Sequence, residues 1–116
     1  MTENAKTEAP SEPIALGGSN EFGSVVQAHE VVIVDFYAEW CGPCKMMEPA
    51  VESIAADTPA AVLKVDIDQH QQLASEHNVR GVPTTKVYAG GDEVDQMVGL
   101  QSEEELAAAV EQHGSA

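Results

Sequence analysis

VVIVDFYAEWCGPCK, residues 31–45, decides how the chain is read. Its first eight residues, 31–38, are apolar or aromatic except for Asp35, and they open on a β-branched run. Such a run predicts a central strand buried on both faces. The strand breaks at Glu39-Trp40, and the two cysteines of the chain follow, three residues apart around Gly42-Pro43. A helical pattern then runs from Cys44 to about Ala56, with Met47, Val51, Ile54 and Ala55 as its apolar stripe. Pro49 lies inside it and predicts a kink, because proline removes one backbone hydrogen bond. A helix start offers unpaired N–H groups and a partial positive charge, which favour a thiolate. Cys41 should feel this most, at an exposed helix start. Cys44 lies on the same face one turn further in and should be more covered. Gly42 and Pro43 suit the turn, since Pro is preorganised for a first helical turn.

Three uses of the pair compete: a redox couple, half of a zinc site, and a structural staple. A staple closing so small a loop removes little chain entropy. Structural zinc takes four ligands, commonly a second Cys pair or a spaced His pair. There is no third cysteine, and His29, His70, His77 and His113 do not supply such a pair, so no metal is expected. No cofactor is expected either. The residues favour the redox couple.

Working outward, IAL (14–16) reads as an edge strand, and SNEFGSVVQAH (19–29) as a helix capped by Ser19 or Asn20. AAVLKVDI (60–67) is a second buried strand. Asp68 caps a following helix, with Gln71 in the capping-box position. In residues 79–99 two β-rich runs flank Gly90-Gly91, the signature of a hairpin. Ser102 and Glu105 form a second capping box for the helix over 102–113. The order β-α-β-α-β-α-β-β-α predicts an α/β domain with a mixed four- to five-stranded sheet and helices on both faces.

The 116 residues are 43% apolar, enough for one domain with a core. Residues 1–13 read as a disordered acidic tail and 14–116 as the folded domain. The N-terminal segment has no apolar core of a secretory signal, and no run approaches the ~20 residues of a membrane span. A cytoplasmic protein without membrane contact is expected. Twenty acidic against five basic side chains give a net charge of −15. That disfavours nucleic acid, which needs a basic footprint. The acidity fits either a solubilising surface or adaptation to high salt.

VDFYAEWCGPCK (34–45) resembles the active-site segment of the thioredoxin family, and VRGVPT (79–84) resembles that family's substrate-docking loop. The resemblance runs from about Ile14 to His113 and includes KVDID (64–68) and Val98-Gly99. It implies a thioredoxin fold and a monomeric protein-disulfide reductase, recharged by a thioredoxin reductase and acting on disulfide-bearing proteins. It implies that Cys41 is the nucleophile and Cys44 the resolving thiol, the pair ending as an internal disulfide. Asp35, with Lys64 nearby, would lie behind the pair and handle the Cys44 proton; burial within so apolar a run raises a carboxyl pKa. The Val82–Pro83 bond would be cis and face the cysteines. Trp40, Gly42, Pro43, Gly81, Val82, Pro83, Gly99 and Leu100 would form the docking surface. A rival reading within the fold is an oxidant or isomerase; another is a binding module whose thiols are incidental. Tyr37 stands where many relatives carry a second Trp. Lys86 stands where they are often apolar, and would snorkel or mark a less covered part of the sheet.

Overall fold

A computed structural model describes residues 8–114. In chain order the elements are β1 (Ile14–Ala15), a 3-10 turn (Ser19–Glu21), α1 (Phe22–Ala28), β2 (Val31–Tyr37), α2 (Gly42–Asp57), β3 (Ala61–Asp66), α3 (Gln71–Glu76), β4 (Thr84–Ala89), β5 (Asp92–Val98) and α4 (Glu103–His113). The strands form one five-stranded sheet in the order β1-β3-β2-β4-β5. β2 pairs in parallel with β3 and antiparallel with β4, so the sheet is mixed and β2 is its centre.

Period-two alternation along β2 builds two cores. Val31 and Ile33 face α2 and α4, meeting Met47, Val51, Ile54, Leu106 and Val110. Val32, Val34 and Phe36 face α1 and α3, meeting Phe22, Val26 and Leu73. Ile33 and Phe36 are fully buried; burying a side chain of that size contributes about 1.5–3 kcal/mol. The two-sided burial explains why the 31–37 run is continuous rather than alternating in polarity.

The hairpin between β4 and β5 turns at Gly90 and Gly91, whose φ angles are 62° and 89°. A two-residue turn of this kind requires positive φ at both positions, which glycine adopts without steric cost. The capping box of α4 forms as its sequence implies: Ser102 Oγ accepts from the Glu105 N–H, and the Glu105 carboxylate accepts from the Ser102 N–H. α2 runs through Pro49 without interruption, from Gly42 to Asp57.

Two caps differ from expectation. α1 begins only at Phe22, after the 3-10 turn, and Glu21 at its N-cap makes no side-chain cap bond. The Ser19 hydroxyl lies instead 2.6 Å from His70 Nδ1, and His29 is the buried, extended residue that ends α1. Asp68 does not cap α3. That helix starts at Gln71 behind an uncapped His70, and the Asp68 carboxylate accepts from the Trp40 indole at 2.9 Å. A tertiary partner has won over the local cap in both places.

Lys86 neither snorkels nor marks an open face. It is buried, and its ammonium donates to both Glu93 carboxylate oxygens at 3.0 and 2.9 Å. Residues 1–7 of the expected tail lie outside the described residues; 8–13 carry no regular structure, and Ala9 packs against the α1/α3 side of the sheet. Among the described residues no helix is long and apolar enough to cross a membrane.

Candidate active site

The end of β2 delivers the chain into α2 through Ala38, Glu39 and Trp40, and Cys41 becomes the helix N-cap. Its extended backbone (φ −91°, ψ 112°) turns the sulfur back over the helix start, where Cys41 Sγ accepts from the Cys44 N–H at 3.1 Å. One helical turn brings Cys44 onto the same face, the Cα atoms are 5.2 Å apart, and the two sulfurs are joined as a disulfide. Neither cysteine is open in this state: each is 4% exposed, packed with Ala38, Tyr37, Ile67 and Val82. The expected contrast between an exposed Cys41 and a covered Cys44 is therefore absent in the disulfide form. The difference between them is electrostatic, since Cys41 Sγ alone takes the helix-end hydrogen bond. Among the described residues no three His, Cys, Asp or Glu side chains gather as a metal site.

Beneath α2 a polar row crosses the sheet. Strand register aligns Lys64 on β3, Asp35 on β2, Thr85 on β4 and Met97 on β5. All four share the face of Ile33 and Val87, the face on which α2 packs. Asp35 is 2% exposed, and its carboxyl pKa is pushed up from 3.8 to about 6. Burial is the main cause; the Lys64 ammonium opposes it, and the Glu48 carboxylate adds to it. Lys64 is held between Glu48, at 3.8 Å, and the Tyr37 ring, with its nitrogen 4.5 Å from the centroid. Burial raises the Tyr37 hydroxyl pKa as well, assisted by Asp66, Glu39, Asp35 and Glu48. Asp35 Oδ1 and Thr85 Oγ1 are both buried and have no hydrogen-bond partner in the protein.

Around the disulfide lies a rim of apolar groups, in which Trp40, Gly42, Pro43, Gly81 and Leu100 are exposed, Val82 and Gly99 half-buried and Pro83 buried. Trp40 is 69% exposed and is oriented by its bond to Asp68. Gly42 and Pro43 are exposed on the first turn of α2. Gly81 and Val82 lead into the cis Val82–Pro83 bond, and Val82 packs on the cysteines. The Thr84 hydroxyl closes this loop on Gly81 O at 2.7 Å. Gly99, at φ 93°, donates its N–H to Pro83 O at 2.9 Å. The Gln101 side chain donates to the carbonyls of Val98 and Gly99, and the Gln101 N–H points to Met47 Sδ. Val98 and Leu100 are exposed beside them, and Leu100 shares a shallow depression with Met46.

This assembly combines a thiol pair at the start of α2, a buried acid on the sheet face that α2 covers, and apolar groups flanking the pair. The model of the thioredoxin family matches residues 14–112. The chain belongs to the thioredoxin family. It is a thiol–disulfide oxidoreductase, and its activity is reduction of protein disulfides. Thioredoxin of Staphylococcus aureus is 42% identical over 95 residues, covering 80% of this chain and 90% of that protein. Thioredoxin of Chlamydia trachomatis is 41% identical over 87 residues, covering 74% of this chain and 85% of that protein. Among solved structures, a mutant thioredoxin from Halobacterium salinarum superposes with a TM-score of 0.90 at 46% identity, over 95% of this chain and 97% of that one.

All the site residues named from the sequence stand at this end of the sheet: the cysteines and their turn at the start of α2, Asp35 and Lys64 below, and the rim from Trp40 round to Leu100. Four neighbours escaped sequence reading: Glu48, Met46, Asp68 and Thr85. Met46 carried a legible signal, as an apolar residue on the outer face of α2. Thr85 carried a weaker one, a polar residue in the middle of a strand otherwise suited to burial.

Proposed function

We propose that Cys41 is the attacking thiol and Cys44 the resolving thiol of a general protein-disulfide reductase. The Cys41 thiolate attacks a substrate disulfide, forming a mixed disulfide and releasing one half of the substrate pair as a thiolate. Cys44 gives its proton to the Asp35 carboxylate and attacks the Cys41 sulfur. The second substrate thiol leaves, taking up a proton, and the Cys41–Cys44 disulfide remains, so two electrons have passed to the substrate. A thioredoxin reductase restores the dithiol. The observation that carries this reading is the placement of the disulfide at the N-cap of α2, together with a buried carboxyl of pKa about 6 on the sheet face that the same helix covers. Such a carboxyl is ionised at neutral pH, yet close enough in affinity to accept and return a proton. Lys64 steadies its charge.

The rim of Trp40, Gly42, Pro43, Gly81, Val82, Pro83, Gly99 and Leu100 receives an extended segment of the partner, paired with backbone near Val82. The protein acts as a monomer in the cytoplasm. We further infer adaptation to a high-salt interior, which the net charge of −15 and the likeness to a Halobacterium protein support.

Single-cysteine variants test the roles. Cys44→Ser keeps an attacking Cys41 without a resolving thiol, so mixed disulfides accumulate on a non-reducing gel and vanish with reductant. Cys41→Ser traps almost nothing. Equal trapping by both variants would overturn the assignment, and no trapping by either would favour a binding module.

A further inference from the structure

We propose that the Thr85 hydroxyl is a positioning group for Asp35, joined to Asp35 Oδ1 through one bridging water and holding that carboxylate in its charged, proton-accepting form. The inference rests on the proton role given to Asp35 above. Thr85 and Asp35 are direct cross-strand partners on β4 and β2. Partners in an antiparallel pair carry their side chains on one face, with Cβ atoms about 4.5–5.5 Å apart. Thr85 is fully buried and Asp35 is 2% exposed. Each leaves one oxygen without a protein partner, Thr85 Oγ1 and Asp35 Oδ1. Buried polar atoms almost always find a partner, and two such orphans side by side are the donor and acceptor a single water needs.

Packing alone gives no reason for a hydroxyl here. On the same face of β4, Val87 is wholly apolar and lies in the α2/α4 core, and Met97 beyond Thr85 packs on that core too. Valine would fill the position without stranding an oxygen. The one polar neighbour that Thr85 has in its row is Asp35. The charged groups acting on Asp35 come from other elements: Lys64 from β3 and Glu48 from α2. The Tyr37 hydroxyl on β2 feels the Asp35 charge. Asp95 lies two residues from Met97 on β5, opposite Val87 and engaged with His113. β4 contributes Thr85 alone, so a neutral hydroxyl is the group on that side able to favour the charged carboxylate.

The test uses the full chain. In the disulfide form the cysteines do not titrate, so the Asp35 carboxyl carbon can be followed by NMR against pH in the unaltered protein, Thr85→Val and Thr85→Ser. Losing a donor to the charged form raises the midpoint, by about one pH unit in Thr85→Val. Thr85→Ser keeps the hydroxyl and should titrate like the unaltered protein. Disulfide reduction by Thr85→Val near pH 6 should fall several-fold and recover by pH 9. An unmoved midpoint in Thr85→Val would overturn the proposal. An equal shift in Thr85→Ser would also overturn it, because the effect would then be packing. A midpoint that moves while rates stay unchanged would leave the Thr85–Asp35 link standing and remove Asp35 from the reaction.

Discussion

Replacing Asp35 with asparagine should make the protein more stable and less active, and the stability gain should depend on pH in a way the structure fixes. The carboxyl titrates near 3.8 in the unfolded chain and at about 6 in the fold, chiefly because burial disfavours its charge. Between these values the native state binds more protons than the unfolded state, so stability falls as pH rises through this window. At about 1.4 kcal/mol per pK unit, the unaltered protein carries a penalty from Asp35 of ~0.5 kcal/mol at pH 4, ~2.5 kcal/mol at pH 6 and ~3 kcal/mol at pH 8. The asparagine side chain does not titrate, and the cost of burying its amide is a constant offset. The stability difference between variant and parent should therefore widen by ~2.5 kcal/mol from pH 4 to pH 8, most of it below pH 6. Urea unfolding of both proteins in the disulfide form, in molar KCl at several pH values, measures it directly. Disulfide reduction by the variant should be slowed, since the amide can neither take nor return the Cys44 proton. A difference that is flat with pH would refute the burial argument, and unchanged rates from pH 6 to 9 would remove Asp35 from the mechanism.

The Lys86–Glu93 pair should respond unequally to its two ends. Glu93→Gln leaves the buried ammonium facing a neutral amide at a half-open position and should cost about 1–2 kcal/mol, whereas Lys86→Met replaces it with an apolar chain and should be close to neutral, both read from urea midpoints. Trp40, the single tryptophan, adjoins Cys41, so its emission should rise when the disulfide that quenches it is reduced; identical spectra in both states would mean that no such bond forms. With a net charge of −15, the melting temperature should climb between low salt and molar KCl, where the screening length shrinks to ~3 Å; a flat or falling trend would refute the charge-repulsion account.

What the sequence disclosed follows from how local each signal is. The 31–37 strand, the Gly90-Gly91 turn and the Ser102–Glu105 box depend on residues a few positions apart, and each stands where expected. The WCGPC run placed the redox pair because strand, turn and helix start are contiguous there. Misreadings arose where a side chain had a distant alternative. Asp68 had the makings of a cap, but Trp40, 28 residues earlier, takes its carboxylate. Ser19 lost its capping role to His70, 51 residues on. Lys86 could not be read because its partner Glu93 lies across a hairpin whose register shifts between Val87 and Tyr88. Thr85 stayed hidden because only the pairing of β4 with β2 sets it opposite Asp35. The matched exposure of the cysteines belongs to the disulfide state, which helix geometry alone does not specify.

The bonds that lace the rim together bear on which proteins this one can serve. Gly99 is tied to Pro83, Gln101 to Val98 and Gly99, and the Gln101 N–H to Met47 on α2. Three distant segments of chain are thus set in place before anything arrives, and little mobility is left to lose on association. Adaptation in the encounter must then come from the other side. On the proposal that the rim docks an extended segment, a disulfide locked inside a rigid client cannot present one. One lying in a segment that opens at low free energy can. On that proposal, clients are selected by how readily their own structure frays around a disulfide, more than by the sequence they display.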